Sequence, residues 1–336
     1  MDTKRGYPYI DYFRVIAAIL VITIHMHPLR HINPILDRFI TDVLARLAVP
    51  FFLTATGFFF FKGRTSLSRL YRTVISILQI YGVAILCYLP LNLYQGYFKD
   101  HSLLWIVQRF CFYGNAYHLW YLPATIIGIC ICYVIVTRLS VRWGIVICIL
   151  LYAIGLGGDS YYPYFAHLPF ICKLYKLIFI CFKSTRNGVF LAPVFIYIGY
   201  LITRVNRQIK YNKTTFGVSL FLLTIESVYI HLRPVLKDDN MYIFLPVTIY
   251  LFVTWVLQFR GSRNEMMKQT SVYMYILHPL FIYLLHIGIG SRKHSWYFQD
   301  WLQFIWIILI LLIISYGLYY FRHDSTDKEA VMRDNH

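Results

Sequence analysis

The chain has 336 residues, 59% of them hydrophobic and 14% charged, with a formal net charge of +17. A soluble globular domain carries about 25% charged residues, and here the apolar residues fall in unbroken runs such as 305–320, which holds no charged side chain; this excludes a soluble enzyme and indicates a membrane protein. The Lys and Arg residues are scattered through short loops, not gathered into one arm or stripe, so nucleic acid is not the partner that the charge points to.

The predicted architecture is all-α and integral to the membrane: about ten transmembrane helices plus short interfacial segments. In chain order the spans are about 8–27, 40–61, 71–92, 118–137, 143–157, 189–203, 214–231, 241–259, 270–289 and 300–321. A span must be a helix, because only a helix satisfies its own backbone where there is no water. Segment 101–113 is too short to span and reads as a helix lying in the interface. Segment 158–188 is long and aromatic, and reads as re-entrant, interfacial or a further span. With the N-terminus in the cytoplasm, 18 basic residues fall inside (among them Lys62, Arg138, Lys210 and Lys268) and 12 outside (among them Lys99, Lys183, Arg233 and Lys293). The positive-inside rule therefore places both termini in the cytoplasm. Residues 1–322 form one transmembrane domain, and the polar tail 323–336 reads as a linker toward a further soluble domain.

The seven cysteines lie mostly in apolar runs and show neither a CxxC pair nor a zinc-like spacing, so they read as small buried hydrophobes and no metal is expected. No cleavable signal peptide is evident, since no small-residue cleavage site follows the first run.

Charged side chains at membrane depth are costly and mark function by default. The first span carries Asp11, Arg14 and His25. At 100° per residue Arg14 and His25 fall within about 20° of one face, and Asp11 is placed to pair with Arg14. The stripe runs about 16 Å along the helix and should line a polar cavity. Glu226 lies in the seventh span without a basic neighbour. It must pair with another helix, bind a cation or be protonated. The ninth span sets Ser271, Tyr275 and His278 on one face, and Pro279 should loosen the helix after them. In the second span, VPFFLTATGFFFF (49–61), Pro50 and Gly57 are expected to break regularity. Residues 118–124, HLWYLPA, open the fourth span with Trp120, where an aromatic belt is the plain alternative. Arg69 and Arg72, at the start of the third, could hold lipid headgroups or the phosphates of a nucleotide-like cofactor.

Taken together, FRVIAAILVITIH (13–25), VPFFLTATGFFF, the Arg69/Arg72 pair, HLWYLPA, VFIYIGYLI (194–202) and VYMYILHP (272–279) resemble the acyltransferase-3 family over about residues 8–320. Within that family the chain is similar to the N-terminal membrane portion of VanT-type serine racemases of D-Ser-type vancomycin resistance. Where the family usually has Ser before the Gly of the second span this chain has Thr56, which keeps the hydroxyl.

The resemblance implies a bacterial plasma-membrane protein and offers two site chemistries. In an acyltransferase, acyl-CoA would donate to a sugar or lipid hydroxyl. His25 would be general base, Arg14 would hold the acyl carbonyl or oxyanion, and Arg69 and Arg72 would hold the CoA phosphates. In the racemase branch the domain would deliver L-serine, with Arg14 on the carboxylate and Asp11 or Glu226 on the ammonium. Trp120, Tyr275 and His278 complete the candidate substrate-binding set. This chain then needs no cofactor, and pyridoxal phosphate would belong to a fused or partner racemase domain. Serine delivery is the favoured reading, the acyltransferase is the alternative, and an inert anchor is the third. The bilayer is the first expected partner, and a homodimer is allowed but not specified.

Overall fold

The computed structural model describes residues 6–99, 101–204, 213–232, 238–289 and 300–334, with side chains as far as Phe321. The basic residues Lys4, Arg5, Arg207, Lys210, Arg233, Lys237, Arg292 and Lys293, used to orient the chain, lie outside them. In order the helices are α1 (Pro8–Met26), α2 (Pro34–Phe39), α3 (Ala48–Phe61), α4 (Leu67–Tyr94), α5 (Leu103–Phe112), α6 (Tyr121–Arg138), α7 (Val141–Gly157), α8 (Tyr162–Phe165), α9 (Pro169–Phe182), α10 (Ala192–Arg204), α11 (Lys213–His231), α12 (Leu245–Val256), α13 (Glu265–Ile289) and α14 (Asp300–Asp334). The chain is an all-α integral membrane protein. Seven helical stretches among the described residues are long and apolar enough to cross a bilayer, and α7, α10 and α12 are shorter apolar helices on the other three predicted spans.

Packing divides the chain into two compact units, residues 1–48 with 256–336 and residues 49–255. In the first, α1 lies against α13, and α13 against α14. Gly6 and Gly261 pair backbone to backbone just before α1 and α13 begin, and Tyr9 stacks on Phe259 with ring centroids 4.5 Å apart. The two helices therefore set out side by side in the same direction, as the first and ninth of ten alternating spans must. Ala17 and Ala18 are buried on α1, and such small residues let another helix approach closely. On α14, Ile307, Leu311 and Ser315 are buried while Trp306, Leu309, Ile313 and Tyr316 are exposed, one stripe inward and the other toward lipid.

The regularity of the second span breaks earlier than its sequence indicates. Ile40–Leu44 is π-helical and Ala45–Leu47 is 3-10, whereas α3 runs unbroken through Pro50 and Gly57. Proline is tolerated in the first turn of a helix, where its N–H has no partner to lose. Gly57 is a packing residue: a Cβ there would run into the carbonyl of Ile196, and one at Gly199 into that of Thr54. Thr56 Oγ1 donates to the Phe52 carbonyl at 2.8 Å, as Ser would.

In the second unit α6 packs on α4 and α10, and α10 on α7. α10 and α12 start three or four residues later than the hydropathy boundaries because polar side chains take over their first N–H groups. Asn187 Oδ1 accepts from Val189 and Phe190, and Glu226 accepts from Ile243 and Phe244. Irregular backbone survives at membrane depth only where protein groups satisfy it in this way. Segments 101–113 and 158–188 form α5 and the α8–α9 pair, none long enough to span. The Gln108 side chain on α5 donates to the Ile180 and Cys181 carbonyls at the end of α9.

Candidate functional site

The stripe on α1 faces protein. Asp11 is 4% exposed, and Arg14 Nη1 donates to its Oδ1 at 2.8 Å. The other oxygen, Oδ2, accepts from the backbone N–H of Asn264 at 3.2 Å. Asn264 in turn caps α13, its Oδ1 accepting from Met267 N–H. Near the far end of α1 the His25 ring stacks on His278 of α13, with centroids 5.5 Å apart and planes 18° from parallel. Tyr275 tilts against the same His278 at 6.4 Å. The two contacts are in register, since 14 residues separate Asp11 from His25 on one helix and Asn264 from His278 on the other. The structure thus brings Asp11, Arg14, His25, Tyr275 and His278 onto one helix–helix seam.

His278 is positioned by its neighbour Pro279. A proline has no N–H, so the carbonyl four residues earlier loses its helical donor. That carbonyl belongs to Tyr275, and His278 Nδ1 meets it at 2.9 Å and the Met274 carbonyl at 3.0 Å. Carbonyls only accept, so Nδ1 carries the proton and the lone pair stays on Nε2. Pro279 therefore does more than loosen α13: it sets the tautomer of the histidine that stacks on His25.

Several nearby groups escaped the sequence reading. Asp37, 3% exposed, accepts from the Leu29 N–H and contacts His27 Nδ1, both at 2.9 Å, and so pins the turn after α1. Asp42 and Arg46, 3.9 Å apart, carry opposite charges four residues apart within the π and 3-10 stretch beside α1. The signal was present as two charges inside an apolar run.

The remaining candidates belong to the second unit. Arg69 Nη2 donates to the Phe59 carbonyl at 2.8 Å and its guanidinium lies over Phe60, while Arg72 is exposed. Arg72 is thus open to an anion, and Arg69 is partly committed to its own chain. Glu226 is buried and braced by three donors: Tyr161 Oη and Ile243 N at 2.6 Å on Oε1, and Phe244 N at 3.0 Å on Oε2. Its carboxylate holds the head of α12. Trp120 lies under the Arg186 guanidinium, 4.8 Å from the ring centroid. Arg186 donates to Asn240 Oδ1 at 2.9 Å, and the Asn240 N–H donates to Asp159 Oδ1 at 2.6 Å. Burial pushes the Asp159 carboxyl above the usual carboxylate range and Asp238 adds to this, while Arg186 and the N–H groups of Asn240 and Met241 pull it back. Among the described residues no group of three or more His, Cys, Asp or Glu could hold a metal ion.

The sequence profile of the acyltransferase-3 family, described as an acyltransferase domain, matches residues 7–320. An amino-acid racemase of Enterococcus faecalis is 38% identical over 275 residues, covering 81% of this chain and 39% of that protein. A second amino-acid racemase of the same organism is 35% identical over 289 residues, 82% of this chain and 41% of the relative. A serine/alanine racemase of Enterococcus gallinarum is 34% identical over 333 residues, 94% of this chain and 47% of the relative. The chain thus spans less than half the length of these curated relatives. No solved structure matches it. With its motifs in family order on a helical membrane scaffold and the family profile matching nearly the whole of its length, the chain belongs to the acyltransferase-3 family of membrane proteins.

Proposed function

We propose that the chain is the membrane portion of a serine-type amino-acid racemase and that it delivers L-serine across the bacterial plasma membrane to a cytoplasmic racemase domain, fused or partnered. The observation that carries this reading is that three relatives, each matched over more than four-fifths of this chain, are named as racemases. Both termini lie in the cytoplasm in this reading, and the polar seam between α1 and α13 belongs to the delivery path.

The described residues do not fit pyridoxal phosphate. That cofactor needs a lysine in a pocket, whereas Lys62, Lys99, Lys173, Lys176, Lys183 and Lys213 are exposed and Lys268 is paired with Glu265 at 2.8 Å. Racemisation is therefore assigned to the other domain. The acyltransferase reading keeps one specific support, the exposed Arg72 beside the partly engaged Arg69, which suits the phosphates of acyl-CoA.

Uptake of labelled L-serine into proteoliposomes separates the two. Uptake by the wild type that is lost in His25→Ala and retained in Arg72→Ala supports delivery. No uptake, with acetyl-CoA binding that depends on Arg69 and Arg72, makes the chain an acyltransferase.

A further inference from the structure

In the second unit opposite charges converge where the turn after α7 meets the segments before α10 and α12. Asp159 is fully buried. Its Oδ1 takes three donors, the N–H groups of Asn240 and Met241 and the Ser160 hydroxyl. Its Oδ2 is equally buried and has no partner among the described residues. A carboxylate oxygen in that position loses its water without compensation. The part-exposed Arg186 spends Nη1 on Asn240 and holds its guanidinium over the Trp120 ring, 4.8 Å from the centroid. Its backbone N–H donates to Ser184 Oγ at 3.1 Å, and the other guanidinium N–H groups make no bond among the described residues. Asp238 accepts from Ser184 through Oδ2, and its other oxygen has no hydrogen bond among the described residues. Asn240 bonds both Arg186 and Asp159, which holds the cation and the buried acid one residue's breadth apart.

We propose that this cluster is a binding site for a small zwitterion, an α-amino acid, with the carboxylate on Arg186, the ammonium on Asp159 Oδ2 and Asp238, and the apolar part against Trp120. The charges select the ligand class. A phosphate would face two aspartates, a simple cation would face the guanidinium, and a neutral sugar brings no counter-charge to the buried oxygen. The ends of truncated helices are also where membrane transporters place such sites, and α10 and α12 are both truncated here. Identifying the zwitterion as L-serine rests on the delivery function proposed above; the site itself does not.

The test is L-serine, glycine and L-alanine binding to the full chain in lipid nanodiscs, measured by calorimetry beside thermal melting of each variant. Asp159→Asn keeps an acceptor for Asn240 and Met241 and should fold. It and Arg186→Gln should each weaken binding about tenfold or more, the loss expected for one charged hydrogen bond, and Arg186→Lys should recover part of it. Wild-type affinity in folded Asp159→Asn and Arg186→Gln overturns the site and leaves delivery standing. Amino-acid binding that follows these residues without L-serine uptake into liposomes supports the site and overturns delivery. No binding of any of the three overturns both.

Discussion

Asp11 and Arg14 form a pair whose members cannot be removed singly without penalty. Asp11 is nearly inaccessible and, among the described residues, its second oxygen meets only the Asn264 N–H. Breaking a buried pair by deleting one partner costs about 3–5 kcal/mol, because the survivor keeps an uncompensated charge. Arg14→Ala is expected to lower the melting temperature in detergent by that measure, whereas Asp11→Asn with Arg14→Gln restores most of it. Serine uptake should stay low in the double variant, which separates a role in transport from a role in folding. Asp159 carries the opposite sign. Its carboxyl is held above the usual range by burial, so the folded state keeps this proton to higher pH than the unfolded chain does. Its contribution to stability is therefore greatest below the ordinary carboxylate pKa and falls as pH rises toward the raised one. Asp159→Asn should melt no lower than the wild type at neutral pH, and its melting temperature should change less between pH 4 and pH 7; a steeper profile in the variant would contradict that assignment.

Helix contacts in this fold depend on glycines at a few points. A Cβ at Gly57 or Gly199 would meet backbone of the other helix, whereas one at Gly82 on α4 meets nothing within 4 Å. Overpacking of this kind costs about 1–3 kcal/mol. Gly57→Ala and Gly199→Ala are expected to lower thermal stability by that amount, and Gly82→Ala to leave it unchanged or raise it by about 0.5–1 kcal/mol through helix propensity. The same elements show how much the sequence discloses. Ten apolar runs are legible because period and length report a span directly, and the α1 stripe is legible because Asp11, Arg14 and His25 lie within one helix. The late starts of α10 and α12 are not legible, since the groups that replace their first bonds are side chains: Glu226 reaches Ile243 across 17 residues of sequence. For that reason Glu226 reads in the sequence as a lone acid awaiting a ligand, while the fold gives it three donors. The Asp159–Arg186 cluster stayed hidden for the same reason, as its members come from separate loops in a segment whose hydropathy is ambiguous.

For the molecule as a whole, the lipid-facing surface and the charged loops together set its placement in the bilayer. α4 turns Leu78, Val83, Leu86 and Leu93 outward, and α9 turns Phe170, Leu174, Leu177 and Ile180 outward beside the exposed Lys173, Lys176 and Lys183. An apolar stripe edged by lysines is the pattern of a helix lying at a membrane surface, stem in the acyl region and ammonium among the headgroups. In the proposed orientation, with both termini in the cytoplasm, that surface lies at the outer leaflet and the α7–α8 turn with Asp159 is on the side from which an external amino acid arrives. Within the second unit this fixes a labelling pattern. After the exposed Cys87, Cys111 and Cys181 are replaced by serine, Lys99→Cys and Lys183→Cys should react with a membrane-impermeant sulfonate reagent on intact cells. Lys62→Cys and Arg138→Cys should react only after permeabilisation. The inverse pattern would place the zwitterion cluster at the cytoplasmic face, where it would serve release of the amino acid to the racemase domain instead of its capture.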